Sequence, residues 1–228
     1  MRLPNVLKNR LVFYGEVARS TKQVGAFTPT SRRVAEAIAA PIPTLAPRRV
    51  LEVGPGTGAL TRSVIARLGA GDTLDLCEIN PAFASYLRSE FSALEAPRVR
   101  VFEADVAALP PGDRYDVIVS SLPFMNFEPE AVRRILDLYS ERLTEGGVIT
   151  SWDYWFREIR TYIQSASERR RMRAVLRVTR EFLARHEWSR RVVLWNVPPA
   201  CVYQVRHRRH EGPSLAGGPL AGPHGPTG

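Results

Sequence analysis

The chain reads Arg49-Val-Leu-Glu-Val-Gly-Pro-Gly-Thr-Gly-Ala-Leu60 where an apolar run breaks into a glycine-rich turn. The run over residues 50–53 predicts a short buried strand. The residues after the turn predict a helix whose apolar face is formed by Leu60, Val64, Ile65 and Leu68. This order lets a ligand approach the backbone at the carboxyl end of a parallel sheet, because glycine has no Cβ that would collide with it. The stretch therefore predicts a ligand-binding α/β domain.

The glycine loop differs from two well-known phosphate-binding loops. The dinucleotide fingerprint needs a third glycine where this chain has Ala59, and a Walker loop needs a lysine, which is absent after Lys22. Glu52 also suits a cationic ligand better than a pyrophosphate. The pattern hydrophobic-Glu-hydrophobic-Gly-x-Gly-x-Gly resembles motif I of the S-adenosylmethionine-dependent methyltransferases. The resemblance implies S-adenosylmethionine as the cofactor and S-adenosylhomocysteine as the product.

Acidic residues end the next two predicted strands. Glu78 follows Gly58 by twenty residues, where a carboxylate can accept hydrogen bonds from both ribose hydroxyls. In the methyltransferases, the acid that matches Asp105 lies beside the adenine and accepts a hydrogen bond from its amine. A solvated strand end is the alternative for either acid alone. The predicted cofactor-binding residues are Glu52, Gly54, Gly56, Thr57, Gly58, Glu78, Ile79, Ala104, Asp105, Val106 and Ser120.

The remaining apolar runs complete the predicted fold. Residues 115–120 and 146–152 predict the fourth and fifth strands, and 191–197 with 201–206 predict a closing antiparallel hairpin. The expected fold class is α/β, a doubly wound, seven-stranded, mostly parallel Rossmann-like methyltransferase sheet. We expect a basic segment over 1–33 and a methyltransferase domain over 34–210. That domain carries an arginine-rich helical insertion at 155–190, and a disordered tail follows over 211–228.

Composition excludes several classes of protein. Hydrophobic residues make up 44% and charged residues 24%, which is ordinary for a globular chain. Cys77 and Cys201 lack metal or disulfide spacing, so we expect buried thiols in a reducing compartment and no metal site. Charges interrupt the apolar run near the start, and no stretch approaches the roughly twenty apolar residues of a spanning helix. These features predict a cytoplasmic protein.

The net charge of +9 is unevenly distributed along the chain. Residues 1–33 carry +6, residues 34–154 carry −6, residues 155–191 carry +7, and residues 192–228 carry +2. Basic segments therefore flank an acidic body, and they suit a polyanion such as RNA or an anionic bilayer.

Each basic flank predicts an amphipathic helix. The first has apolar residues at helical spacing from Leu3 to Val17, and it could pack on the body or lie in a membrane interface. In the second, Ser165 and Glu168 form a capping-box signature for a helix that runs from Ala166 to about His186. Aromatic residues precede this helix and arginines line it. That combination fits a headgroup boundary, nucleic-acid stacking or an ordinary crossover helix.

A second resemblance concerns the substrate. The segment Val24-Gly-Ala-Phe-Thr-Pro-Thr-Ser-Arg-Arg-Val-Ala35 and the segment Ser120-Ser-Leu-Pro-Phe124 resemble the bacterial phospholipid N-methyltransferases. The resemblance covers residues 23–154 and implies methylation of an aminolipid headgroup such as phosphatidylethanolamine, at an anionic inner-membrane surface. The insertion at 155–190 departs from the short forms of that family, and it leaves the ornithine-lipid N-methyltransferases as a close second.

Residues after the fourth and fifth strands are placed to contact the nucleophile. The predicted catalytic residues are Ser121, Asp153 and Tyr154. Tyr154 could hold an ammonium group by a hydrogen bond or a cation–π contact, and Asp153 could pair with the amine or cap a helix. The predicted substrate-binding residues are Tyr14, Phe27, Pro123, Phe124 and Trp155.

Two other functions compete with this prediction. The rRNA adenine dimethylases share the glycine motif, but their Asn-Leu-Pro-Tyr segment is Ser121-Leu-Pro-Phe124 here. A serine cannot present both the acceptor and the donor of an amide, so nucleic acid is the less favoured partner. A non-catalytic cofactor-binding protein ranks lowest, because none of the motifs is broken.

Overall fold

The computed structural model describes residues 32–42, 48–91, 93–154, 165–194 and 199–206. Within these ranges, seven strands form one sheet in the order β3-β2-β1-β4-β5-β7-β6. The strands are β1 Arg49–Val53, β2 Thr73–Glu78, β3 Arg98–Glu103, β4 Tyr115–Ser120, β5 Leu143–Tyr154, β6 Glu187–Val193 and β7 Ala200–Arg206. Neighbouring strands from β3 to β5 are parallel, and β7 runs antiparallel to both β5 and β6. The predicted fold class is confirmed.

Helices cover both faces of the sheet. They are α1 Arg32–Ala39, α2 Thr61–Ile65, α3 Pro81–Phe91, α4 Pro129–Arg142 and α5 Ala166–Ala184. Short 3₁₀ turns lie at Val106–Ala108 and Phe124–Asn126. Because side chains alternate along a strand, Val50 packs on the α1–α3 face, whereas Leu51 and Val53 pack on the α4–α5 face. Two apolar cores therefore hold the sheet rigid between them.

The helix after the glycine loop is shorter than its apolar pattern suggests. Only Thr61–Ile65 is helical, and the chain then continues through turns. The predicted inner face is nevertheless confirmed, since Leu60 and Val64 are buried and Leu68 packs against the same core.

Helix α5 is a crossover helix between β5 and β6. The Ser165 hydroxyl accepts a hydrogen bond from the Glu168 N–H, so the predicted N-cap is confirmed. Met172, Val175 and Phe182 are buried in the core that α5 shares with α4. Residues 166–184 therefore form a crossover helix whose apolar face packs in the core and whose outer arginines remain exposed.

Strand β6 is the clearest departure from the sequence prediction. It begins at Glu187 rather than Arg191 and ends at Val193. Its first five residues are exposed at the edge of the sheet, so they lack the apolar alternation that marks a strand.

No helix within the described ranges is both long enough and apolar enough to cross a membrane.

Several predictions concern residues outside the described ranges. These are the amphipathic helix near the start of the chain, the aromatic patch after Tyr154 and the tail over 211–228. The substrate residues Tyr14, Phe27 and Trp155 and the side chain of Tyr154 also lie outside them.

Candidate active site

The three glycines of the loop after β1 have positive φ angles and different surroundings. Gly54 has φ 72°, and a Cβ there would lie 2.9 Å from Leu122 Cδ2. Gly58 has φ 76°, and its Cβ would lie 2.8 Å from a ring carbon of Phe91. Gly56 has φ 57° with no atom within 4 Å of such a Cβ. Gly54 and Gly58 therefore allow close packing, whereas Gly56 faces open space that a ligand can use.

Glu78 joins the end of β2 to the glycine loop. Its Oε2 accepts a hydrogen bond from the Gly56 N–H at 3.0 Å, and its Oε1 accepts one from the Asn80 N–H at 2.8 Å. The side chain is only 6% exposed. These two bonds fix the carboxylate at the carboxyl edge of the sheet beside the loop, and half-buried Ile79 follows it.

Asp105 shapes the turn that follows β3. Its Oδ1 accepts a hydrogen bond from the Ala107 N–H at 2.9 Å, and the half-buried residue caps the 3₁₀ turn. Ala104 is held to β2 by its N–H, which donates to the Glu78 carbonyl at 3.1 Å. The Val106 side chain is buried in the core beneath α4, so a cofactor would meet this residue through its backbone.

Glu52 lies beneath the loop rather than on its surface. It is fully buried, and within the described part of the chain neither carboxyl oxygen has a hydrogen-bond partner. Burial raises the pKa of Glu52 from 4.5 to about 8, the nearby Thr61 hydroxyl opposes this rise, and the charge of Glu78 adds to it. At neutral pH the buried carboxyl is therefore mostly protonated, and a cation bound nearby would lower its pKa and favour its charged form. Thr57, by contrast, is exposed at the loop.

Two consecutive serines after β4 have different surroundings. The hydroxyl of Ser120 is buried and lies 3.0 Å from the Tyr139 hydroxyl of α4. This contact directs the Ser120 side chain into the core, where burial raises the pKa of Tyr139 well above its usual value. The Ser121 N–H donates to the Val53 carbonyl at 3.0 Å, which places Ser121 beside the glycine loop. Among the described residues, no group hydrogen-bonds the buried Ser121 hydroxyl.

Asp153 and Phe124 line one narrow cavity of about 50 Å³ between β5 and α5. Ser120 pairs with Ser151 across the sheet, so Ser121 and Asp153 follow that pair on neighbouring strands at the carboxyl edge. Pro123 is exposed at the start of the 3₁₀ turn. The other lining residues are Leu122, Leu136, Ile149, Ser151, Trp152, Thr179, Phe182, Leu183, Tyr203 and Val205. The cavity thus has apolar walls and a carboxylate on one side.

Sequence reasoning missed Arg171, which supports this region. Its Nη1 donates to the carbonyls of Met125 and Phe127, both at 2.9 Å. The bonds tie α5 to the turn that carries Phe124. A signal was present in the sequence, because Arg171 shares helical spacing with Val175, which faces the core.

The residues at the carboxyl edge fit S-adenosylmethionine. Gly56 leaves room for the ligand, Glu78 is fixed where ribose hydroxyls would bind, and Asp105 lies at the end of the next strand.

Comparison with known proteins agrees with this geometry. Residues 50–147 match a family model described as a methyltransferase domain. This part of the chain is a methyltransferase domain. The predicted cofactor, S-adenosylmethionine, and the product, S-adenosylhomocysteine, are confirmed.

Curated relatives of the methyltransferase domain differ in substrate. The chain is 26% identical over 147 residues to an ornithine lipid N-methyltransferase of Singulisphaera acidiphila, covering 62% of this chain and 76% of that protein. It is 36% identical over 100 residues to ribosomal RNA small subunit methyltransferase A of Mycobacterium tuberculosis. That match covers 41% of this chain and only 31% of the relative.

Solved structures share the fold of the methyltransferase domain. A putative O-methyltransferase from Klebsiella pneumoniae has a TM-score of 0.63 at 19% identity, covering 90% of this chain and 91% of that one. An O-methyltransferase from Bacillus cereus in complex with SAH has a TM-score of 0.62 at 17% identity, covering 91% and 93%. At these identities the likeness concerns the fold.

Proposed function

We propose that this protein transfers methyl groups from S-adenosylmethionine to the amine of a membrane aminolipid headgroup, either ornithine lipid or a lipid like phosphatidylethanolamine. The observation that carries the proposal is the extent of the match to the ornithine lipid N-methyltransferase. It covers 76% of that protein, whereas the ribosomal RNA methyltransferase is matched over 31% of its length. A match that extends over most of a relative includes more of the parts that select a substrate.

The chemistry needs a neutral amine held close to an electrophilic methyl group, with water excluded. Bound S-adenosylmethionine supplies that methyl group on a positively charged sulfur. The buried Ser121 hydroxyl beside the loop can accept a hydrogen bond from the substrate N–H and so orient the nitrogen lone pair. Half-buried Asp153, on the neighbouring strand, can pair with the ammonium form and take up its proton. Tyr154, Tyr14, Phe27 and Trp155 stay predictions for the headgroup site, where an aromatic ring could hold an ammonium group.

The proposed partner surface is an anionic bilayer on the cytoplasmic side of the inner membrane. The distribution of charge supports this, because +6 and +7 segments flank a body that carries −6. The exposed outer face of α5 includes Arg170, Arg173 and Arg177. An enzyme that methylates the amine of a membrane lipid must contact the bilayer, but it does not need a segment that spans the bilayer.

A second candidate function is methylation of an rRNA adenine. The 36% identity to the M. tuberculosis enzyme favours it. Ser121 and Phe124 weigh against it, since a serine hydroxyl cannot replace the paired donor and acceptor that an amide offers a flipped adenine.

A radiolabelled methyl-transfer assay tests both functions. The purified protein would receive labelled S-adenosylmethionine with vesicles that contain phosphatidylethanolamine or ornithine lipid, and structured rRNA would be tested in parallel. We expect label in chloroform-extractable lipid. Label in RNA alone would overturn the proposal, and label in neither would place the substrate elsewhere.

Two substitutions connect the assay to the proposed site. Ser121→Ala and Asp153→Asn should each lower methyl transfer at least tenfold, while the affinity for S-adenosylhomocysteine stays within about twofold. The matched control is Ser140→Ala, because Ser140 lies on α4 and its hydroxyl donates to the Leu136 carbonyl at 3.3 Å. If the control lowers transfer as much as the site variants, the assigned roles are wrong.

A further inference from the structure

A second cavity lies on the α1 face of the sheet, opposite the face that carries the cavity between β5 and α5. It has a volume of about 500 Å³, within the range of small-molecule sites. Its lining comes from α1 and the residue after it, from the end of the α2 region, and from β6 with its following turn. The lining residues are Arg33, Glu36, Ala37, Ala40, Arg67, Arg191, Val192, Val193 and Leu194.

The charge of this cavity is positive. Three of its described lining residues have exposed guanidinium groups, namely Arg33, Arg67 and Arg191. The carboxylate on its wall, Glu36, accepts a hydrogen bond from Arg32 Nε at 2.8 Å and so is already matched by a cation. Guanidinium groups bind phosphate oxygens in paired, directed hydrogen bonds. The cavity is therefore suited to a phosphate group.

The rest of the lining is apolar. Ala37, Ala40 and Val193 contribute small or branched apolar surface, and Leu194 is 61% exposed. No aromatic side chain is among the lining residues that the structure describes, so this part of the lining offers no platform on which a base could stack. A ligand with a phosphate beside an aliphatic part matches this combination better than a nucleotide does.

The cavity also lies at a useful place in the fold. Val193 pairs with Ala200, and Ala200 pairs with Tyr154 at the carboxyl end of β5. Leu194 therefore sits at the same edge of the sheet as the glycine loop and Asp153. A bilayer that reached this cavity would approach the edge at which the methyl acceptor must enter.

We propose that this cavity binds the phosphate of an anionic phospholipid, with the lipid's glycerol and first methylene groups against Leu194 and the neighbouring apolar residues. This inference rests on the proposed aminolipid function, because it assigns the cavity a role in holding the enzyme on the bilayer. The phospholipid is a docking ligand here and is distinct from the methyl acceptor.

Sedimentation with vesicles tests the inference with the full chain and without S-adenosylmethionine. Vesicles of phosphatidylcholine and phosphatidylglycerol at 3:1 would be compared with pure phosphatidylcholine, so that no methyl acceptor is present. Near an anionic surface, each arginine adds about fivefold to binding. We expect Arg67→Gln/Arg191→Gln to weaken binding to the anionic vesicles about 25-fold.

The matched control is Arg98→Gln/Arg134→Gln, which removes the same charge from exposed positions outside both the cavity and the outer face of α5. It should weaken binding by less than about threefold. Equal losses in the two double variants, or no loss in the first, would overturn the inference in favour of general charge attraction. Leu194→Glu places a carboxylate on the apolar wall and should weaken binding at least fivefold. Circular dichroism melting curves would establish that each variant is folded.

Two further arms identify the source of the phosphate. In the first, inorganic phosphate or glycerol phosphate is tested for stabilisation of the protein that is lost on substitution of Arg67 and Arg191. Such stabilisation, combined with vesicle binding that the substitutions leave unchanged, would overturn the lipid assignment. A larger loss of binding to structured RNA than to vesicles would also overturn it. Cavity-dependent vesicle binding without methyl transfer to any aminolipid would contradict the proposed function alone.

Discussion

Gly56 and Gly58 of the loop after β1 are both required, but for different structural reasons that the sequence does not distinguish. Gly58 is needed because Phe91 and Leu87 of α3 approach it from the core side. Gly56 is needed on the open side, where its N–H donates to Glu78. One residue thus protects the packing of the fold, and the other protects the space for the cofactor.

Substituting Gly58 should mainly lower the stability of the fold, whereas substituting Gly56 should mainly weaken cofactor binding. Gly58→Ala places a Cβ 2.8 Å from the Phe91 ring, so we expect a loss of about 2–4 kcal/mol in the free energy of unfolding. Gly56→Ala meets no neighbour, so its cost should be limited to the positive φ, about 1–2 kcal/mol. It should weaken S-adenosylhomocysteine binding at least tenfold by calorimetry. Wild-type affinity in Gly56→Ala would show that the open side is not the cofactor side.

The buried carboxyl of Glu52 should make stability depend on pH. Its pKa is about 8 in the folded protein and near 4.5 when the chain unfolds. Between these values the folded state holds the extra proton, so wild-type stability should fall as the pH rises and level off above about 8. Glu52→Gln should remove that slope and stabilise the protein at pH 7 by up to about 3 kcal/mol.

Denaturant titrations at pH 4.5, 7 and 8.5 would measure the effect of Glu52→Gln. At pH 4.5 the variant and the wild type should have similar stability, because both side chains are then neutral. Exposed Glu145→Gln is the matched control and should keep the wild-type slope. A variant with the same slope as the wild type would mean that Glu52 ionises normally.

At the scale of elements, α5 holds the turn that carries Phe124. The Phe124 and Phe127 rings meet edge to face with centroids 6.3 Å apart, and Arg171 bonds the carbonyls of Met125 and Phe127. Charged hydrogen bonds of this kind contribute about 1.5–3 kcal/mol each. The insertion therefore has a structural task at the substrate edge, whatever its outer arginines contact.

Removing Arg171 should disturb the substrate edge more than the cofactor site. Arg171→Ala removes both hydrogen bonds to the turn, so we expect about 3 kcal/mol lower stability and a drop of about tenfold in kcat/KM for methyl transfer. Affinity for S-adenosylhomocysteine should change less than threefold. Arg134→Ala, which removes an exposed arginine of α4, should match the wild type. Equal loss of cofactor affinity and kcat/KM in Arg171→Ala would point to general unfolding instead.

The sequence predicts elements well where burial leaves a pattern and poorly where it does not. Strand β4 was predicted at Tyr115–Ser120, because its residues are nearly all buried. The start of β6 was missed because the exposed residues from Glu187 to Arg191 are held by backbone pairing with β7. Within the site, the glycine spacing located the loop. It could not show that the Ser120 hydroxyl turns toward Tyr139, since that depends on packing across α4.

Across the molecule, the carboxyl ends of the parallel strands form the ligand site, whereas residues nearer their amino ends form a stabilising network. The carboxyl ends carry the glycine loop, Glu78 and Ser121. Nearer the amino ends, Asp75 is 1% exposed and accepts two hydrogen bonds from Arg100, at 2.7 and 2.6 Å, and one from the Tyr115 hydroxyl at 2.9 Å. Arg100 also pairs with Asp113 at 3.2 Å. The network joins β2, β3 and β4 nearer the amino ends of these strands, away from the loop that would hold the cofactor.

Breaking this network should lower stability without altering the cofactor site. Arg100→Met leaves the Asp75 carboxylate buried without its cation, so we expect a loss of about 3–5 kcal/mol in the free energy of unfolding. Asp75→Leu/Arg100→Met removes both charges and should recover at least half of that loss, because an apolar pair carries no desolvation cost. Calorimetry on the folded variants should give wild-type affinity for S-adenosylhomocysteine. If Arg100→Met lost cofactor affinity in proportion to its loss of stability, the two ends of the sheet would be coupled. The weaker cofactor binding expected of Gly56→Ala would then reflect folding as well as binding.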